Sequence, residues 1–119
     1  MEHVSICILT CDRTEQLEIL LASLTAISCR PLEVIVVDNG STDDTARLVS
    51  SDYPDVIYLK QTENIGTAGR NVAMNAATGE IIVALDDDLI GICDDSIEFL
   101  IDNLVTHGVE GGLYSLGLG

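Results

Sequence analysis

Leu32-Glu33-Val34-Ile35-Val36-Val37-Asp38-Asn39-Gly40-Ser41 decides the fold. Five of its first seven positions favour an extended, buried chain, four of them are β-branched, and an Asn-Gly turn signal follows an aspartate at the tip. Such a run, apolar on both faces, predicts a strand inside a parallel sheet rather than one on a half-solvated antiparallel sheet. Three further runs have the same character: Val4 to Thr10, Val56 to Lys60 and Ile81 to Leu85. The deciding strand is expected over Leu32 to Asp38, and between it and Val4 to Thr10 lies Arg13 to Ser28, where Leu17, Leu20, Leu21, Leu24 and Ile27 recur at helical spacing. Asp12 with Glu15 suggests a capping box for that helix, and Ser41 with Asp44 suggests a cap for a second helix ending near Ser50. A third helix is expected from Thr67 to Ala77 after Asn64-Ile65-Gly66, and a fourth from Asp95 to Thr106 with Ile97, Leu100, Ile101 and Leu104 on one face. The Gly-rich stretch from Gly108 to Gly119 is expected to open a fifth strand. Strands alternating with helices predict an α/β fold, a doubly wound, mainly parallel sheet with helices on both faces.

Composition narrows the partners. The 119 residues suffice for one domain with one core. Hydrophobic residues at 47% and charged residues at 21% exclude intrinsic disorder. Five Lys and Arg against twenty Asp and Glu give a net charge of −15, which repels nucleic-acid backbones and anionic lipid surfaces. A phosphate ligand then needs a divalent cation or a well-placed Arg to offset that field. No apolar run approaches the roughly 20 residues of a membrane-spanning helix. Met1-Glu2-His3-Val4 lacks the basic and apolar start of a secretory signal, so a cytoplasmic location is expected, with any membrane attachment supplied by regions outside this stretch. Cys7, Cys11, Cys29 and Cys93 show no metal or redox spacing and are expected to be buried, reduced thiols.

In open parallel sheets ligands bind beyond the carboxyl ends of the strands. Those ends are polar here: Thr10-Cys11-Asp12-Arg13, Asp38-Asn39-Gly40-Ser41, Gln61-Thr62-Glu63-Asn64 and Asp86-Asp87-Asp88. In extended chain Asp86 and Asp88 would point to one side and Asp87 to the other. Two carboxylates about 6 Å apart repel by roughly 3 kcal/mol at an effective dielectric near 20, a cost that Mg²⁺ or Mn²⁺ relieves. Arg70, in the first turn of the third helix, opposes the helix dipole unless an anion such as a diphosphate sits beside it. Asp38 is expected at an exposed, rigid tip, where it either receives hydrogen bonds from a base or sugar or caps a turn. Gly66 and Gly69 form neither a dinucleotide fingerprint nor a Walker loop.

Together these residues resemble the nucleotide-sugar-binding half of family 2 glycosyltransferases of the GT-A fold. Val4 to Arg13 is similar to the family's opening strand and loop, usually ending Pro-Thr-Tyr-Asn-Arg, and departs from it at Leu9, Cys11 and Asp12. Val36 to Asp43 resembles the second-strand signature, Glu63-Asn64-Ile65-Gly66 through Arg70-Asn71 the entry to the third helix, and Asp86-Asp87-Asp88 the metal-binding Asp-x-Asp. The resemblance implies that residues 1–119 form a single donor-binding domain, incomplete at its C-terminal end. It implies a UDP- or dTDP-sugar donor, an unknown acceptor, a Mn²⁺ or Mg²⁺ cofactor, and sugar transfer with inversion. By the same resemblance Thr10 and Asp38 contact the base, Arg70 lies near the nucleotide and its diphosphate, and Asp86 approaches the ribose. Asp12, Arg13, Asn39 and Asp87 join the donor-binding set, and Asp88 with Asp86 holds the metal. No catalytic residue is assigned, because the family's general base is expected beyond Gly119. Two other readings stay open: a nucleotide-sugar-binding fragment without catalysis, and a receiver-type Mg²⁺-binding phosphoacceptor domain.

Overall fold

The computed structural model describes residues 3–28, 32–106 and 113–116. In chain order the elements are β1 (Val4–Thr10), α1 (Thr14–Thr25), β2 (Leu32–Asp38), α2 (Thr45–Asp52), β3 (Ile57–Lys60), a 3₁₀ turn (Gly66–Ala68), α3 (Gly69–Ala76), β4 (Ile81–Asp86), α4 (Asp94–Thr106) and β5 (Leu113–Leu116). The sheet runs β3-β2-β1-β4-β5, and every pairing is parallel. The doubly wound α/β expectation therefore holds, with a fifth strand at the β4 edge.

Alternation along the strands divides the core in two. Val4, Ile6 and Ile8 of β1, with Val36, Val83 and Leu85, pack against Leu17, Leu20, Leu21 and Leu24 of α1, Val49 of α2, and Ile97 and Ile101 of α4. Cys7, Ile35 and Val37 face the other way, onto Ala73 of α3. Burial of this apolar surface, worth roughly 25 cal/mol per Å², drives the layering. At the end of the sheet remote from the carboxyl rim, Glu33 ties β2 to the start of β4. It accepts from the Thr78 amide at 2.9 Å, the Thr78 hydroxyl at 2.6 Å and the Ser5 hydroxyl at 2.8 Å.

The helix starts differ from expectation. Arg13 and Asp44 occupy the N-cap positions of α1 and α2, and neither makes a side-chain capping bond. Asp12 is drawn off instead to the loop after β2, and Asp43, not Ser41, accepts from the Thr45 amide at 3.1 Å and its hydroxyl at 2.6 Å. The third helix is preceded by a tighter turn, so Arg70 still falls in its first turn. Cys7 is buried, and burial pushes its thiol up to about 11. Cys11 is half-buried and Cys93 exposed, against the expectation of buried thiols, while Cys29 lies outside the described residues. No helix among the described residues is long and apolar enough to cross a membrane.

Candidate functional site

β1 is central, with β2 and β3 laid to one side and β4 and β5 to the other. The crevice between the carboxyl ends of β1 and β4 is thus the switch point where loops diverge and leave room for a ligand. Register brings the predicted residues there: Thr10 lies opposite Asp38, and Leu9 opposite Asp86. Three of the five Lys and Arg residues of the chain, Arg13, Lys60 and Arg70, stand at this rim.

β4 ends at Asp86, and Asp87 and Asp88 form a turn, so the strict alternation expected for the triplet stops after Asp86. Asp86 is paired with Arg70, Nη2 to Oδ1, at 3.4 Å. Asp87 turns inward, only 13% exposed; its Oδ2 accepts from the Thr10 hydroxyl at 2.9 Å, and its Oδ1 lies 3.2 Å from Arg13 Nε. Burial raises the Asp87 carboxyl, outweighing the opposing pull of Thr10 and Arg13. Asp88 is the outer member, 53% exposed, with Oδ2 3.3 Å from Arg13 Nη2.

Asp38 departs from the expected exposed tip. It is fully buried; Oδ1 accepts from the Ser41 amide at 2.7 Å and Oδ2 from the Tyr58 hydroxyl. Burial and the Asp38 carboxylate together drive the Tyr58 hydroxyl well above the usual tyrosine range. Asp38 therefore shapes the loop from inside. Lys60 has a similar duty, its Nζ donating to the Ser41 carbonyl at 2.8 Å.

Asp12 also works on this loop. It alone among the described non-glycine residues has a positive φ, at +52°, a region Asp tolerates better than most. Its amide donates to Ser41 Oγ at 2.8 Å, and its Oδ1 accepts from the amides of Thr42 at 2.7 Å and Asp43 at 3.3 Å. The Cys11 thiol donates to the Asn39 carbonyl at 3.3 Å, so the β1 and β2 loops are laced together.

Asn39 is different. It is 3% exposed, its amide donates to the Thr10 carbonyl at 2.8 Å, and its Nδ2 donates to the Gly66 carbonyl at 3.0 Å. Its Oδ1 is buried with no hydrogen-bond partner among the described residues. An unmet buried acceptor costs about 1–3 kcal/mol. Asn39 lines a cleft of about 300 Å³ together with Cys11, Arg13, Asn64, Gly66 and Asp87. Gly69 packs closely beside it: a Cβ there would stand 3.1 Å from Asn39 Oδ1 and 2.5 Å from Leu9 Cδ1, so both side chains would have to shift.

The rim thus gathers Thr10, Arg13, Asn39, Arg70, Asp86, Asp87 and Asp88, whereas Asp12 and Asp38 act through the loops. Tyr58 was not legible as part of this network; the only sequence signal is a phenol one residue into a short strand. Among the described residues no three His, Cys, Asp or Glu side chains form a metal cage.

A family model for glycosyl transferase family 2 matches residues 5–111. An uncharacterised glycosyltransferase of Bacillus subtilis, YfnE, is 36% identical over 103 residues, covering 82% of this chain and 25% of that protein. The mannosyltransferase PcManGT of Pyrobaculum calidifontis, solved with GDP-Man and Mn²⁺, superposes with a TM-score of 0.76 at 30% identity, over 87% of this chain and 32% of that one. Residues 1–349 of Staphylococcus aureus TarS, solved with UDP-GlcNAc, superpose with a TM-score of 0.74 at 26% identity, over 89% and 32% of the two chains. The chain spans about a quarter of its curated relative and about a third of these structures. The similarities fall on the glycosyltransferase side of the readings that the sequence left open, not the receiver-type side.

Proposed function

The chain belongs to glycosyl transferase family 2, and on that premise we propose that it binds a UDP- or dTDP-sugar at the β1–β4 rim for metal-assisted transfer of the sugar, with inversion, to an acceptor. The observation that carries this reading is the gathering of Arg13, Arg70, Asp86, Asp87 and Asp88 at one rim, two guanidinium groups among carboxylates that a diphosphate with its cation would satisfy. Asn39 lines the cleft beside them, and Asp38, buried behind it, holds the loop that the base meets. Thr10 contributes by holding Asp87, and Asp86 and Arg70 face the ribose and diphosphate.

The residues fit a divalent cation. Asp86 and Asp88 are 38% and 53% exposed, and each keeps one carboxylate oxygen without a partner among the described residues. Two carboxylates are a common protein share of a Mg²⁺ or Mn²⁺ site, the rest of the shell coming from phosphate and water, which agrees with the lack of a three-ligand cage. PcManGT was solved with Mn²⁺. When bound, the cation supplies Lewis-acid stabilisation to the departing nucleoside diphosphate. The chain's own part is to shape the base-facing loop through Asn39 and Asp38, to hold the diphosphate beside Arg13 and Arg70, and to keep Asp87 fixed. Deprotonation of the acceptor is assigned to none of these residues.

Calorimetric titration with UDP tests the proposal. Binding is expected in Mn²⁺ and not in chelator, and Asp88→Asn removes most of the affinity. Equal UDP affinity in chelator and in Mn²⁺ defeats the reading.

A further inference from the structure

Arg13 holds two carboxylates at once, and its two contacts differ in their surroundings. The Nε contact, 3.2 Å from Asp87 Oδ1, is made to a side chain 13% exposed whose other oxygen is fixed by Thr10. The Nη2 contact, 3.3 Å from Asp88 Oδ2, is made to a side chain 53% exposed. Arg13 itself is 44% exposed, and the Nη2 contact is a hydrogen bond while the Nε contact is an ion pair, so the carboxylates make the difference: an exposed pair contributes little and exchanges freely, whereas taking the cation from beside an inward-turned carboxylate leaves its charge uncompensated. One arm of the guanidinium is therefore an anchor and the other is exchangeable. The backbone beneath is fixed on both sides: Asp12 is clamped to the loop after β2, and the Arg13 carbonyl accepts the first bond of α1 from Leu17 at 3.0 Å. Arg70 has no such double contact, reaching Asp86 alone at 3.4 Å.

We propose that Arg13 is an exchangeable counter-ion that makes metal binding conditional on the nucleotide. In the free protein its Nη2 neutralises Asp88. When donor and cation enter together, Nη2 leaves Asp88 to the cation and takes a diphosphate oxygen, while Nε keeps Asp87. No covalent bond changes; the exchange swaps one charge-assisted contact for another of the same kind. A metal arriving alone competes with the guanidinium for Asp88 and offers it no replacement anion. A metal arriving with diphosphate does. This inference rests on the donor-site reading and adds an order of binding to it.

The test compares Mn²⁺ binding, by electron paramagnetic resonance, with and without saturating UDP in wild type, Arg13→Gln and Arg13→Lys, alongside UDP titration in Mn²⁺. Arg13→Gln is expected to bind Mn²⁺ alone about two- to fivefold more tightly, the range of one exposed ion pair, and to bind UDP with Mn²⁺ about tenfold more weakly or worse. Arg13→Lys, a point charge that cannot span both carboxylates, is expected between the two. A merely structural role would weaken both ligands together and lower the melting temperature. Unchanged or weaker binding of Mn²⁺ alone by Arg13→Gln, in a protein whose wild type binds UDP with Mn²⁺, overturns the exchange and leaves the donor site standing. Wild type that binds UDP in neither condition removes the donor site and the exchange together.

Discussion

Replacing Tyr58 by Phe separates a buried structural carboxylate from one that reads a base. Asp38 is fully buried, and its two oxygens have one donor each, the Ser41 amide at 2.7 Å and the Tyr58 hydroxyl. Phe keeps the ring and deletes the second donor. A hydrogen bond to a charged acceptor contributes about 1.5–3 kcal/mol. An unfolding entropy of about 2.1 cal/mol/K per residue gives roughly 0.25 kcal/mol/K for a chain of 119 residues, so the melting temperature should fall by about 6–12 °C. Thermal unfolding followed by circular dichroism measures this. Burial, aided by Asp38, holds the Tyr58 pKa above its ordinary value of 10.0. The folded state therefore resists ionisation, and this contribution is complete below about pH 10 and declines as the pH rises further. The gap between wild type and Tyr58→Phe should be constant to about pH 10 and narrow beyond it. A variant that melts within 2 °C of wild type at pH 8 while losing affinity for UDP would show that Asp38 serves the ligand and not the loop.

The remaining predictions concern the cleft and the loop beside it. Gly69→Ala places a Cβ 2.5 Å from Leu9 Cδ1 and 3.1 Å from Asn39 Oδ1, so it should destabilise by about 1–3 kcal/mol and weaken UDP binding, which thermal unfolding and calorimetry measure; an Ala variant with the stability and UDP affinity of wild type refutes this. Asp43 stays ionised to low pH: against the desolvation of its site, hydrogen bonds from Thr14 and Thr45 pull its carboxyl down from 3.8 to about 2. Its contribution is present above about pH 3.8 and lost as the pH falls through about 2, so the stability deficit of Asp43→Asn, measured by urea unfolding, should shrink across that interval. A deficit that does not change with pH refutes the assignment.

The strands were legible because burial on both faces leaves runs of Val, Ile and Leu that few other structures produce; β1 and β2 fall on the residues expected, and β4 differs by Asp86 alone. Helix starts were less legible. Asp12 and Ser41 have the chemistry of caps, but each found a partner across the rim, which no local pattern contains.

The sequence by itself determined that acidic and basic side chains would follow four apolar strands, and a parallel sheet has to deliver such residues to one edge. What each of them does was decided by the tertiary structure. Register seals Asp38 under Tyr58, turns Asp87 in against Thr10, and leaves the Asn39 oxygen buried without a donor. The physical reason is that desolvation and hydrogen-bond satisfaction depend on neighbours many residues away in the chain. Residue type fixes which bonds a side chain can make, and only packing fixes which of them remain open to a ligand.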